Sequence, residues 1–552
     1  MNPRRFRAPS HDGGVLADPP LSEYGRALES NLRLAAAADI PIQGRSLPAL
    51  RTLARRELFA ASSAYLGALG FEPPEAPEAA REQPVVVSGH QPELFHPGVW
   101  IKNFAIAAIA RRSAAASLHV IVDNDVPKSA SIRVPSLQEG TLRTMPVDFD
   151  TIRPQVPYEE WAVNDCGRFR SFPDRVHETL GALVSDPLID QFWPLVLGHT
   201  SRMERPRVSV GFSAARRQIE SEWGARNWEV SLSSLCQTDS FYWFLSHIIA
   251  QLPRFHAVHN DALAAYRRAN RIRSRNHPVP ELAVHGEWRE APFWGWRAGN
   301  PRRHPVLARH NARTIDLQLH SENEPFVTLP LSASSDACCA VERLRELTTQ
   351  GIKIRSRALT TTLFSRLFVG DLFVHGIGGA KYDELGDAII SGFYDLTPPS
   401  FLALSITLWL GLAEKDFDPR ERLAVGRLER DLVCNPDRVL GEQTPSAART
   451  LIDAKRRAIG LPQGTRRERV ARFREIRCCN EALAPFAAPR AADLAERRAR
   501  LESNGRWNDV AHSRDFSAVL HSQTRLRRAI ESIVFSLESG PAMRTPPLLA
   551  EI

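Results

Sequence analysis

The chain has 552 residues, enough for about three structural units at roughly 100–200 residues each. Apolar residues make up 43% and charged residues 24%, which excludes wholesale disorder and permits a sizeable core. The 71 basic and 63 acidic residues leave a net charge of +8. With no Lys/Arg block and no RNA-reading motif, that excess allows anionic ligands without pointing to nucleic acid.

Residues 20–70 read as helices, with Ser22 and Ser46 as N-caps and Gly67 or Gly70 as stops. The Pro/Glu-rich text 71–84 is a linker. A buried strand begins at Pro84, a loop covers 89–98, a helix 99–112, and a second buried strand 118–122 ends at Asp123-Asn124-Asp125. This β-loop-α-β unit predicts a parallel sheet of Rossmann-like type. Helices follow near 172–184, 241–251 and 256–275. The Trp-rich text 286–300 reads as a strand pair or loop and leads into a strand at 305–315. A helix at 340–349, a short strand at 351–355 and a helix at 360–371 precede an apolar strand-like run. A Gly-rich loop and a helix from Tyr382 come next. After about 415 the text is charged and helical, suiting a helical appendage or coiled-coil hairpin, and the tail after 540 reads as irregular.

The expected architecture is therefore α/β, in three parts. Residues 1–83 are a helical lead-in and linker, 84–414 a Rossmann-like core, and 415–552 a helical domain. The first residues, MNPRRFRAPSHDGG, hold no apolar run, so no signal peptide is expected. The weakly polar stretch 401–413 is too short for a bilayer, which needs about 20 residues. Seven cysteines with no CxxC spacing suit a reducing compartment. The expectation is a cytoplasmic protein away from membranes. The pairs Cys338-Cys339 and Cys478-Cys479 read as buried small residues.

Only six basic residues are Lys, against 65 Arg. A genome biased toward Arg explains the ratio. A lysine that survives the bias offers a compact point charge or a tunable amine. Four of the six, Lys102, Lys128, Lys353 and Lys381, fall in the two motif-bearing windows 84–135 and 351–399.

Four segments carry chemistry. The first is Ser88-Gly-His-Gln-Pro-Glu-Leu-Phe-His-Pro-Gly-Val-Trp-Ile-Lys-Asn103, outside the end of a strand and at a helix start. There Gly89 admits a ligand, His90, Gln91 and His96 supply donors, and Lys102 holds an anion. The bland alternative is a turn with its polar side chains bonded to backbone. The second is Asp123, Asp125 and Lys128, where carboxylates bind an amine, a hydroxyl or a metal, or form an Asx turn. The third runs from Arg355 through Thr362, with Arg357 and Thr360 within it, then from Leu372 to Asp383. Its Gly376, Gly378 and Gly379 suit a phosphate or carboxylate cradle, with Lys381 as counter-charge and His375, Tyr382 and Asp383 as acid/base groups. The fourth is Pro292-Phe-Trp-Gly-Trp-Arg297 beside Glu290, an aromatic cluster read as core or as a pocket wall around Trp294. No HExxH, GxSxG or zinc spacing occurs.

Segments one and three together resemble the bacillithiol-synthesis cysteine-adding ligase family. That family's GxQxGLxxGPLYxxxK segment matches Gly89-His-Gln-Pro-Glu-Leu-Phe-His-Pro-Gly-Val-Trp-Ile-Lys102. In the places of its R-P-x-x-Q-D and GGPGExxYW-type segments this chain has Arg357-Ala-Leu-Thr-Thr-Thr and His375-Gly-Ile-Gly-Gly-Ala-Lys-Tyr382. The chain departs from the family at His90, at the threonines after Arg357, and in the loop, where an acid is lost and Lys381 gained. The His-Gln-Pro opening is also similar to the WbqC-like family.

The resemblance implies a ligase joining an amino acid or amine, cysteine in that family, to a small carboxylate- or sugar-bearing acceptor. Such a bond needs an activated substrate, for which ATP or another nucleotide is one source. Catalytic roles then fall to His90, His375, Lys381 and Tyr382. Substrate binding falls to Gly89, Gln91, His96, Lys102, Asp123, Asp125, Arg357, Gly378, Gly379 and Trp294, with no metal. The phosphate position is the helix start after Gly98, and the C-terminal helices provide a homodimer contact. The rival expectation is a non-catalytic small-molecule or sugar-nucleotide binding protein on the same scaffold.

Overall fold

The computed structural model describes residues 6–152, 155–274, 276–440 and 444–539, so the tail read as irregular lies outside the described residues. The chain divides into two compact units. The first holds the described residues up to 134, residues 146–410 and those from 514 onward, and the second holds 135–145 and 411–513.

The first unit is mixed α/β. Its main sheet has six strands: β1 (Val15–Asp18), β2 (Val85–His90), β3 (Ala116–Ile121), β4 (Trp228–Ser231), β5 (Leu372–His375) and β6 (Phe401–Ile406). Their order across the sheet is β1-β6-β5-β2-β3-β4. Strands β2 to β6 are mutually parallel, and β1 closes one edge antiparallel to β6. The chain thus builds outward from β2 through β3 to β4, then returns to lay β5 and β6 on the other side. The order reverses between β2 and β5.

The residues explain the parallel core. Val85-Val86-Val87 and all of Ala116–Ile121 are buried, and continuous apolar runs suit strands covered on both faces. Helix α1 (Pro97–Ser113) crosses from β2 to β3. Nearly all of its residues through Ala110 are buried, because it lies between the sheet and a late helix, Gln523–Glu538. The other face is covered by Leu47–Ala68 and Asp239–Ala250, which share one large core with Val85, Val87, Leu118 and Val120. Ser46 caps Leu47–Ala68, accepting from Ala49 N–H at 3.4 Å.

A second, antiparallel sheet is inserted between β4 and β5, in the order Val327–Leu329, Ile315–Leu319, Asn300–His310, Trp288–Arg297, Ile352–Ser356. The Trp-rich text is the strand pair of the two sequence alternatives. Its turn is Ala298-Gly299, with Gly299 at φ 85°, a left-handed value that favours glycine.

Two expectations are corrected. The Gly-rich stretch after His375 is not a loop: helix α2 (Ile377–Phe393) starts at once, with Gly376 as its N-cap. The helix expected from Tyr382 therefore begins a turn and a half earlier. The pair Cys338-Cys339 is exposed at a helix start, and only Cys479 of the other pair is buried. The described residues from Arg514 on, which the sequence reading assigns to the region 415–552, group with the first unit.

The second unit is helical: Pro419–Cys434, Ser446–Ile459 and Arg466–Ala511. The last is one 46-residue helix running through Pro485 and Pro489, opened by a Thr465/Glu468 capping box. Its small core gathers Val425, Leu494 and Leu501. Among the described residues no helix is long and apolar enough to cross a membrane.

Candidate functional site at the strand-order reversal

Where strand order reverses in an open parallel sheet, the strand carboxyl ends leave a crevice that suits a ligand. Here β2 and β5 pair directly, with Val374 opposite Ser88. Their carboxyl ends bring Gly89 and His90 next to His375 and Gly376. The two motifs, 285 positions apart from His90 to His375, therefore share one edge.

Lys102 lies at this edge. It is 4% exposed and reaches from α1 to donate to the Gly89 carbonyl at 3.0 Å. A Cβ at Gly376 would sit 3.8 Å from its Cε. It forms no ion pair among the described residues, and burial pushes its pKa down to about 8. The other lysines are spent differently. Lys353 and Lys455 pair with carboxylates, Lys128 and Lys381 are exposed, and Lys415 lies 4.0 Å over Trp507.

Helix α2 starts beside Lys102. Its first internal bond runs from Ala380 N–H to the Gly376 carbonyl at 2.9 Å, so the N–H groups of Ile377, Gly378 and Gly379 have no acceptor within the helix. These donors and the ammonium suit an anion. Gly378 has open space around it, whereas a Cβ at Gly379 would lie 2.7 Å from His375 Nδ1. The two glycines thus differ: Gly379 makes room for the His375 ring.

His375 is buried, and its Nε2 pairs with Asp383 at 2.8 Å. Burial lowers the His375 pKa despite that neighbour. Asp383 is held at about 2: burial alone would raise it, but Arg366 and His375 outweigh burial. Arg366 reaches Asp383 at 2.6 Å and Asp387 at 2.7 Å. An ionised Asp383 accepts from Nε2–H, which leaves Nδ1 as the basic nitrogen.

His90 behaves otherwise. Its ring packs against Phe95 and His119, with centroids 4.4 and 4.5 Å away, and neither ring nitrogen has a hydrogen-bond partner among the described residues. Burial, then His119, Lys102 and Arg216, hold it far below the usual histidine range. Arg216 belongs to a buried cluster behind it. Glu220 accepts from Trp100 at 2.6 Å, Asn103 at 2.7 Å and Arg216 at 2.7 Å, and Arg216 also bonds Glu229 at 2.8 Å. His90 is therefore a neutral wall residue.

The remaining candidates are mostly spent internally. Gly89 is required by the sheet, since a Cβ there would lie 2.8 Å from the Val120 carbonyl. Gln91 donates to Asp125 at 2.8 Å, and Asp125 also pairs with Arg303 at 3.1 Å. Asp123 accepts from both Ser233 N–H and Ser233 Oγ, and burial, then Glu159, push its pKa up to about 7. Trp294 has Arg357 4.0 Å and Arg303 4.9 Å from its ring centroid, and Arg357 pairs with Glu290 at 2.6 Å. Tyr382 lies beside His277, with centroids 6.1 Å apart. Neither Lys381 nor Tyr382 bonds to Lys102, His90 or His375 among the described residues.

The phosphate position expected after Gly98 does not fit. His96 Nδ1 already accepts from Gly98 N–H at 3.1 Å. A Cβ on Gly98 would be 2.5 Å from the Ile406 carbonyl and 2.5 Å from Arg514, so protein fills that helix start. The start of α2 is the one that keeps its donors and Lys102 together. No group of three His, Cys, Asp or Glu side chains able to hold a metal occurs among the described residues.

The sequence reading missed Arg366, Arg303, Arg216 and His119. His119 alone carried a signal: it sits two positions from Ser117 and Ile121 on the strand face that His90 shares. No family model and no curated protein matches this chain.

Proposed function

We propose that the first unit is a Rossmann-like, ligase-type enzyme whose reaction site is the crevice between β2 and β5. It joins an amino acid or amine to a small carboxylate- or sugar-bearing acceptor. The observation that carries this reading is the buried, acid-free Lys102 beside the start of α2 and His375. Lys102 and the first N–H groups of α2 hold a phosphate or carboxylate. His375 Nδ1, oriented by Asp383, takes the proton an attacking amine loses. A nucleotide, when bound, would activate whichever substrate brings the carboxylate, so that phosphate or pyrophosphate leaves as the amine attacks, and the start of α2 would hold its phosphates.

The resemblance of 89–102 and 375–382 to the bacillithiol ligase family supports the same class and makes cysteine the first amine to test. The exposed apolar side chains Leu423, Val433 and Phe473 support homodimerisation through the helical second unit. The test is phosphate or pyrophosphate release from ATP with L-cysteine and a panel of small carboxylates and amino sugars. Release should vanish in Lys102→Ala and His375→Ala. The sealed, neutral His90 favours the rival reading of a binding protein, and ligand binding without turnover across the panel would establish that reading instead.

A further inference from the structure

The positive surplus of the chain is concentrated in the second unit. Residues 449–478 hold ten Lys or Arg and three Asp or Glu, a surplus of seven against +8 for all 552 residues. They span most of Ser446–Ile459, the turn 460–465 and the first three turns of Arg466–Ala511. Arg466, Val470, Phe473 and Arg477 recur at spacings of four, three and four, so they share one face of the long helix, with Arg467 and Arg474 beside them. The buried Cys479 and Leu483 lie on the opposite side of that helix. The basic face is uncovered. Phe473 is 64% exposed, Val470 is exposed beside it, and Ile459 and Leu461 are exposed at the turn. Arg457, Arg466, Arg467 and Arg474 are exposed, and their side chains make no hydrogen bond or ion pair among the described residues. Arg477 pairs with Glu481 at 2.7 Å. Farther along the same helix the arginines are spent: Arg497 pairs with Glu421 at 2.8 Å, and Arg498 with Glu502 at 2.8 Å. Free guanidinium groups and unburied apolar side chains thus meet at one end of the unit.

We infer that this face docks on an anionic lipid surface, with the arginines among the headgroups and Phe473 and Val470 turned toward the acyl chains. Guanidinium forks match lipid phosphates and carboxylates, and a basic face that also carries apolar side chains is the pattern of a helix lying in a membrane interface. Nucleic acid would match the charge but has no apolar layer for Ile459, Leu461 and Val470. A second copy would set the same arginines against each other, which centres a dimer contact on Leu423 and Val433. The expectation of a protein away from membranes rests on the lack of a spanning segment, and lying on a surface needs none. The inference does not rest on the proposed reaction.

The experiment is sedimentation of the full chain with vesicles of phosphatidylserine and phosphatidylcholine in equal parts, and with vesicles of phosphatidylcholine alone. A random-sequence RNA oligonucleotide is titrated at the same salt. The protein should bind the mixed vesicles, and phosphatidylcholine alone at least about tenfold more weakly. Each arginine at an anionic surface is worth about fivefold in affinity, so Arg467→Gln combined with Arg474→Gln should weaken binding at least about tenfold. Phe473→Ser should weaken it by about tenfold, because the ring no longer leaves water. All three positions are exposed, and circular dichroism checks that the variants keep their helix content. No binding to the mixed vesicles, or full binding by either variant, overturns the inference. RNA bound more tightly than the mixed vesicles also overturns it and gives the face to nucleic acid.

Discussion

Lys102 Nζ donates to the Gly89 carbonyl at 3.0 Å, from within the crevice where the strand order reverses. The contact leaves a buried ammonium with one neutral acceptor and no carboxylate. Such a charge destabilises the empty protein, and a group kept against stability suits a binding role.

That cost is measurable through pH. The Lys102 pKa falls from 10.5 to about 8 on folding, so between those values the unfolded chain binds more protons and stability rises with pH. Below the lower value both states are protonated and the penalty is constant, about 3 kcal/mol on the order of 1.4 kcal/mol per unit. Lys102→Met should be the more stable protein at neutral pH, with the gap closing as pH rises through that window. Urea denaturation of both proteins across it provides the measurement, and a gap independent of pH would mean that no buried ammonium is present.

The two glycines of the α2 start should respond oppositely. Gly378→Ala meets nothing within 4 Å and should stabilise the helix by roughly 0.5–1 kcal/mol. Gly379→Ala places a methyl 2.7 Å from His375 Nδ1 and should cost about 1–3 kcal/mol. Thermal melts of the pair decide this; equal effects would show that the His375 ring does not rest on Gly379.

Asp383 ties stability to acid. Its pKa drops from 3.8 to about 2 on folding, so its contribution is complete above the unfolded value and is lost as pH falls through the folded one. Asp383→Asn should remove that acid-side loss. At neutral pH it should cost about 3–5 kcal/mol, because it strips a partner from the buried Arg366. Denaturation midpoints from neutral to acid pH check both halves, and a variant as stable as wild type would contradict the Arg366-Asp383-His375 chain.

Much of the framework was legible from local pattern. The VVV run, the apolar face of 99–112 and the Gly-Pro-rich punctuation between them specify a β-α-β unit through short-range periodicity. The adjacency of His90 and His375 cannot be read from local pattern, because it depends on β5 returning beside β2 after the second sheet has been inserted. What local pattern misread was the glycine run at 376–379. Three glycines suggest a loop, yet Gly376 caps a helix and Gly379 yields space to a ring from the preceding strand. Arg366 and Arg216 were invisible among 65 arginines, since only tertiary packing separates a buried guanidinium from a solvated one.

The most direct test is a calorimetric titration with inorganic pyrophosphate near neutral pH and at about pH 9.5, where Lys102 has lost most of its charge. Binding near neutral pH should weaken at least about tenfold at the higher pH and in Lys102→Met. No binding at millimolar pyrophosphate, or equal affinity in Lys102→Met, would contradict an anion site at the crevice.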